Sequence, residues 1–97
     1  MIRSFRSKAL KLLWTQDDES KLPVPNKGRV RRILDLLNAA TKPEDLNLPG
    51  YRFHALQGKP KRHSVDAGGN YRVTYGWDHP DAVDVDLEDY HREDDAR

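Results

Sequence analysis

The sequence predicts an α+β fold, an N-terminal helical pair packed on one face of a twisted antiparallel β-sheet, in a single domain over residues 1–91. Three observations carry this expectation. Up to Ala40 the apolar residues recur at helical spacing, and from Tyr51 the period changes to two. The alternating runs are separated by turn signals at Gly68-Gly69-Asn70 and Asp78-His79-Pro80-Asp81. Helices first and hairpin-linked strands afterwards put the helices on one side of the sheet and leave its other face to polar residues.

Each element has its own reason. Ile2 to Phe5 is expected as a short strand and Ser7 to Gln16 as a helix, with Ala9, Leu10, Leu12, Leu13 and Trp14 opposite Lys8 and Lys11. The polar run Asp17 to Lys21, punctuated by Pro23 and Pro25, connects it to the clearest helix, Asn26 to Ala40. There Val30, Ile33, Leu34, Leu37 and Ala40 form one buried stripe, and Pro43 ends the helix. Glu44 to Gly50 is expected as a loop. Tyr51 to Leu56, His63 to Ala67, Tyr71 to Trp77 and Ala82 to Tyr90 follow as strands. The charged residues 92–97 lack apolar anchors and are expected to be a disordered tail.

Composition narrows the class. A chain of 97 residues supports one modest core, and its mean hydropathy of −0.93 demands a heavily charged surface. With no cysteine there is neither a disulfide framework nor a cysteine zinc site, which suits a reducing cytosol. No run approaches the roughly 20 apolar residues of a membrane span, and Ala9 to Trp14 offers no signal-peptide core. The near-neutral total hides a division: residues 1–77 hold 15 Lys/Arg against 7 Asp/Glu, while residues 78–97 hold 2 against 9. A basic body points to nucleic acid or another polyanion, although an acidic tail that merely balances it is an equally simple account.

Strand parity sorts the polar candidates. If Tyr71, Val73, Tyr75 and Trp77 face the helices, Arg72 and Thr74 point to the open face. Phe53 inward turns Arg52 and His54 outward, and Val83, Val85 and Leu87 inward turn Asp84, Asp86 and Glu88 outward. Asp89 then points inward and Tyr90 outward, so Asp89 and His91 need a bulge or a strand end to reach one site. His54 and His91 have the chemistry of a general acid and base, because imidazole titrates near pH ~6.5. His63 and His79 are read as non-catalytic. Arg72 is suited to stabilising charge on a phosphate, or equally to pairing with Asp84, Asp86 or Glu88 across the strands. Lys27, Arg29, Arg31 and Arg32 on the second helix, with Lys59, Lys61 and Arg62 in the loop after Gly58, are candidate RNA contacts or simply solvated charges. No metal-ligand motif, Walker loop or nucleophile elbow is present.

The ordered set of motifs carries a resemblance. Ile33-Leu34-Asp35-Leu36-Leu37-Asn38-Ala39-Ala40 is followed by Pro43-Glu44-Asp45-Leu46-Asn47-Leu48-Pro49-Gly50 and by Arg52-Phe53-His54-Ala55-Leu56 with Gly58. Gly69-Asn70-Tyr71-Arg72-Val73 and Asp84-Val85-Asp86 lead to Asp89-Tyr90-His91. This resembles the HigB toxins of bacterial type II toxin–antitoxin modules, in the RelE/ParE superfamily, over about residues 1–91.

The resemblance implies a RelE-like compact RNase fold and a ribosome-dependent endoribonuclease that cuts mRNA in the A site without metal or other cofactor. It places catalytic positions on His54, Arg72, Asp89, Tyr90 and His91. A lysine frequent three residues after the first histidine is Gln57 here, with Lys59, Lys61 and Arg62 nearby as other sources of charge. The implied partners are a HigA-type helix-turn-helix antitoxin, the 70S ribosome and its mRNA, and operator DNA reached only through the antitoxin. The implied place is the bacterial cytoplasm. The competing readings are a ParE-like toxin that inhibits a protein such as DNA gyrase without cutting RNA, and a plain RNA-binding module.

Overall fold

The computed structural model describes residues 1–90. Two helices, α1 (Lys8–Gln16) and α2 (Lys27–Ala39), precede a short 3-10 turn (Pro43–Leu46) and four strands. These are β1 (His54–Leu56), β2 (Arg62–Gly68), β3 (Tyr71–Asp78) and β4 (Asp81–Asp89), joined antiparallel in the order β1-β2-β3-β4.

Local chemistry starts and stops the helices. The side chains of Ser7 and Asn26 accept the backbone N–H of Leu10 and Arg29, so each occupies the N-cap of its helix. Asp17 closes α1 in the left-handed region, its N–H returning to the last carbonyls. The stripe Val30, Ile33, Leu34 and Leu37 is wholly buried against Leu10, Val65, Val73, Tyr75 and Val85. Burial of side chains this large is worth ~1.5–3 kcal/mol each, which is what holds both helices on one sheet face.

Several expectations change. The loop expected after Pro43 begins with the 3-10 turn that buries Leu46. Ile2 to Phe5 is no strand of its own: Ile2 and Phe5 form isolated parallel bridges to Ala82 and Val85 along the outer edge of β4. The first strand is also shorter than Tyr51 to Leu56, because Arg52 sits at φ 54° and interrupts extended backbone ahead of His54. Arg62 opens β2 rather than belonging to the loop.

The largest correction is in β4. Thr74 pairs with Asp86 and Gly76 with Val83, so β4 carries one extra residue there, with Asp84 at φ 51°. A bulge reverses parity on its two sides. Ala82, not Val83, is therefore buried and paired with Trp77, whereas Val83 packs beside Gly76 and Arg62 on the open face. Beyond the bulge Val85 and Leu87 turn inward as expected, and Glu88 is the cross-strand neighbour of Arg72.

Candidate functional site: the open face of the sheet

The face away from the helices is polar, yet not all of it is wet. Ser64 and Thr74, paired across β2 and β3, are fully buried there. Arginine and glutamate side chains cover them, and two separate hydrogen-bonded groups result. In the first, Arg62 Nη2 donates to Thr74 Oγ1 (3.0 Å) and to the Asp84 carbonyl (2.9 Å), while Thr74 donates to Glu88 Oε2 at 2.7 Å. In the second, Arg72 Nε donates to Ser64 Oγ at 2.9 Å and Nη2 to the Arg52 carbonyl at 2.9 Å.

The division bears on the alternative roles of Arg72. No ion pair among the described residues joins it to Asp84, Asp86 or Glu88. It donates instead to a hydroxyl and a carbonyl, and its guanidinium carbon lies 5.8 Å from the ring centre of Tyr90. Neutral acceptors orient a guanidinium without cancelling its charge, which leaves the cation available to an anion from solution.

His54, Leu56, Ser64, Arg72 and Tyr90 line one open depression of about 240 Å³. A second, of about 200 Å³, shares Arg72 and Tyr90 and is lined by Arg52, Asp66, Gly69, Asn70 and Tyr71 as well. His54 comes from β1 and pairs with Ser64, which aims its exposed imidazole at the open face. The Tyr90 amide donates to the Asn70 carbonyl at 2.8 Å, so the chain leaving β4 stays fastened to the β2–β3 turn.

The remaining candidates among the described residues do not line these depressions. Asp89 ends β4 opposite Tyr71 and is exposed, directly before Tyr90, which lines both depressions. The bulge at Asp84 lies too far upstream to turn Asp89 relative to Leu87. His91 and the tail from 92 to 97 lie outside the described residues. Among the cations, Arg29 is tied down: it donates to the carbonyls of Asp66 (2.8 Å) and Gly50 (2.6 Å) and lies 4.4 Å above the Tyr51 ring. Arg31 pairs with Asp17 and Glu19. Lys27 is half-buried, and Arg32, Lys59 and Lys61 are exposed. Burial, with Arg6 nearby, lowers the Arg62 guanidinium pKa from its ordinary value.

His63, outside the expected catalytic set, is buried between Phe53 and Tyr75, its ring centre 5.6 and 5.5 Å from theirs. Its Nδ1 has no hydrogen-bond partner among the described residues, and desolvation lowers its pKa. Sequence reasoning missed Ser64 and the Arg52 carbonyl. Parity alone would have put Ser64 on the same face as Arg72, but nothing in the sequence announces a carbonyl turned by one left-handed residue.

A small α+β protein with helices on one sheet face and a cationic, histidine-bearing site on the other has the architecture of the RelE-like toxins. Residues 3–91 match the family model of the HigB-like toxin, described as a RelE-like toxin of the type II toxin–antitoxin system HigB. The chain belongs to that family. It is also 34% identical over 92 residues to the endoribonuclease HigB of Proteus vulgaris, an alignment covering 94% of this chain and 100% of that protein. Membership in a toxin–antitoxin family implies an antitoxin partner. No helix among the described residues is long and apolar enough to cross a membrane.

Proposed function

We propose that this protein is an endoribonuclease toxin that cuts mRNA on the translating ribosome, in the A site. The observation that carries the reading is Arg72, held by neutral acceptors beside His54 and Tyr90 in one open depression. The relative from Proteus vulgaris bears the name of an endoribonuclease, which supports the same chemistry.

In this reaction a ribose 2′-OH attacks the adjacent phosphate. The 2′-oxygen-to-phosphorus bond forms, the bond to the 5′-oxygen breaks, and the products are a 2′,3′-cyclic phosphate and a free 5′-hydroxyl. One proton leaves the 2′-OH and one reaches the departing oxygen. His54 and His91, with Asp89 assisting, exchange these protons, and no metal or cofactor takes part. Arg72 stabilises the charge that grows on the phosphorane, and the Tyr90 ring orients the nucleotide. The ribosome contributes by holding the RNA in line for attack, a positioning effect that can be very large. Lys27, Arg32, Lys59, Lys61 and Arg62 supply contacts to RNA phosphates. The proposed neutralising partner is a HigA-type helix-turn-helix antitoxin, through which operator DNA is reached, and the site of action is the bacterial cytoplasm.

The test is cleavage of a defined mRNA on translating 70S ribosomes, in EDTA-tolerant product analysis of the new ends. Cyclic phosphate ends and a strong loss of cutting in His54→Ala and His91→Ala are expected. Normal cutting by both variants would sink the chemistry. Growth arrest with intact mRNA and altered DNA supercoiling would move the target to a protein.

A further inference from the structure

An arginine on an open sheet face has many rotamers, and a cation that must meet a phosphate at one geometry needs to be held. Two features around Arg72 bear on how it is held. The first is the Ser64 hydroxyl. Ser64 is 0% exposed and pairs through its backbone, so its side chain contributes nothing to the strand ladder. Its oxygen accepts Arg72 Nε at 2.9 Å. The second is the backbone at Arg52. Its φ of 54° lies in the left-handed region, which side-chain-bearing residues adopt at a cost. That conformation ends the extended backbone before β1, and the Arg52 carbonyl meets Arg72 Nη2 at 2.9 Å while the Arg52 side chain stays exposed. Strained backbone of this kind persists where its surroundings hold it, and it concentrates at functional positions.

We propose that Ser64 and the left-handed backbone of Arg52 are positioning elements for the Arg72 guanidinium. Together they fix two of its nitrogens through uncharged acceptors, so the plane of the fork is set while its charge is kept for the phosphate. No hydrogen bond among the described residues occupies Nη1, which is the edge left for the RNA. A carboxylate in the place of Ser64 would orient the group equally well and neutralise it. The inference rests on Arg72 as the phosphate-contacting cation of the reaction proposed above.

The experiment uses the full chain and the variants S64A, R52G, R52V and R72K. Two quantities are read: kcat and KM for mRNA cleavage on translating ribosomes, and the ¹⁵N Nε–Hε signal of Arg72, assigned by its disappearance in R72K. In S64A the kcat is expected to fall by about tenfold to a hundredfold, the loss seen when a partner that orients a metal-binding side chain from behind is removed, with KM little changed. The Arg72 Nε–Hε signal, distinct in the parent, is expected to merge with those of free arginines. R52G and R52V lose the same side chain, but only glycine accepts the left-handed backbone without strain. R52V is therefore expected to turn over at least about tenfold more slowly than R52G.

Full kcat with an unchanged Nε–Hε signal in S64A would overturn the proposal, as would equal rates for R52G and R52V. The spectra also report whether each variant is folded; if R52V is not, S64A decides alone. Parent-like cleavage by R72K with the S64A spectral change intact would overturn the catalytic use of Arg72 and leave only a structural clamp. That outcome separates failure of the underlying reading from failure of the clamp.

Discussion

Glu88 stands opposite Arg72 across β3 and β4, yet its carboxylate accepts the Thr74 hydroxyl at 2.7 Å while Arg72 turns to Ser64. Thr74, itself held by Arg62, is the partner that Glu88 takes in place of Arg72. Removing the hydroxyl in Thr74→Val frees Glu88 to pair with Arg72. The expected result is a roughly tenfold slower single-turnover cleavage, less than the 10²–10³ typical of losing a charge-stabilising donor outright. Adding Glu88→Gln, which cannot neutralise Arg72, is expected to recover most of that loss. Recovery that fails to appear would detach Glu88 from the effect.

The basic residues of α2 divide by stability. Arg29 holds two carbonyls and stacks on Tyr51, so Arg29→Ala is expected to cost ~2 kcal/mol in urea unfolding. Arg32 is exposed, and Arg32→Ala is expected to stay within ~0.5 kcal/mol.

Lys59 and Lys61 are exposed in the loop between β1 and β2. If each meets a phosphate of single-stranded RNA, alanine at either position lowers the slope of log K against log salt by about 0.7. Titrations of binding at several salt concentrations check this, and unchanged slopes would remove the loop from the RNA contact.

His63 couples stability to pH. The unfolded imidazole takes its proton near the ordinary value of 6.5, and the buried one holds it less tightly. In the window below 6.5 the unfolded state therefore binds more protons, and stability falls as pH drops toward and through the lowered folded value. His63→Phe is expected to flatten this part of the curve, measured as denaturation midpoints from pH ~7 down to ~5.

Tyr75 donates its phenol to the Pro43 carbonyl at 3.0 Å and tethers the 3-10 turn to β3. Burial raises its pKa strongly, so the donor stays protonated. Tyr75→Phe is expected to cost ~1 kcal/mol at equilibrium with little change in cleavage.

Much of this molecule is legible in its amino-acid order. The stripe from Val30 to Leu37 specifies α2 because a 3.6-residue period can bury only one face. The turn signals at Gly69-Asn70 and His79-Pro80 place both hairpins, and alternation puts Tyr75 inside and Arg72 outside. The same rule assigns His54 and Tyr90 to the open face. It fails for Val83, because one extra residue at Asp84 reverses parity locally and leaves no trace in the pattern. The brevity of β1 is hidden for a similar reason, a single left-handed residue at Arg52. Arg29 looks like its neighbours because its partners, Gly50 and Asp66, are far along the chain. In this protein the sequence determined, outside the bulge at Asp84, which residues each face of the sheet receives, since periodicity is a local property of the backbone. Which of those residues are partners was decided only in the tertiary structure. There Thr74 takes Glu88, Ser64 and the Arg52 carbonyl take Arg72, and the guanidinium is not paired with a carboxylate because its hydrogen bonds go to neutral oxygens.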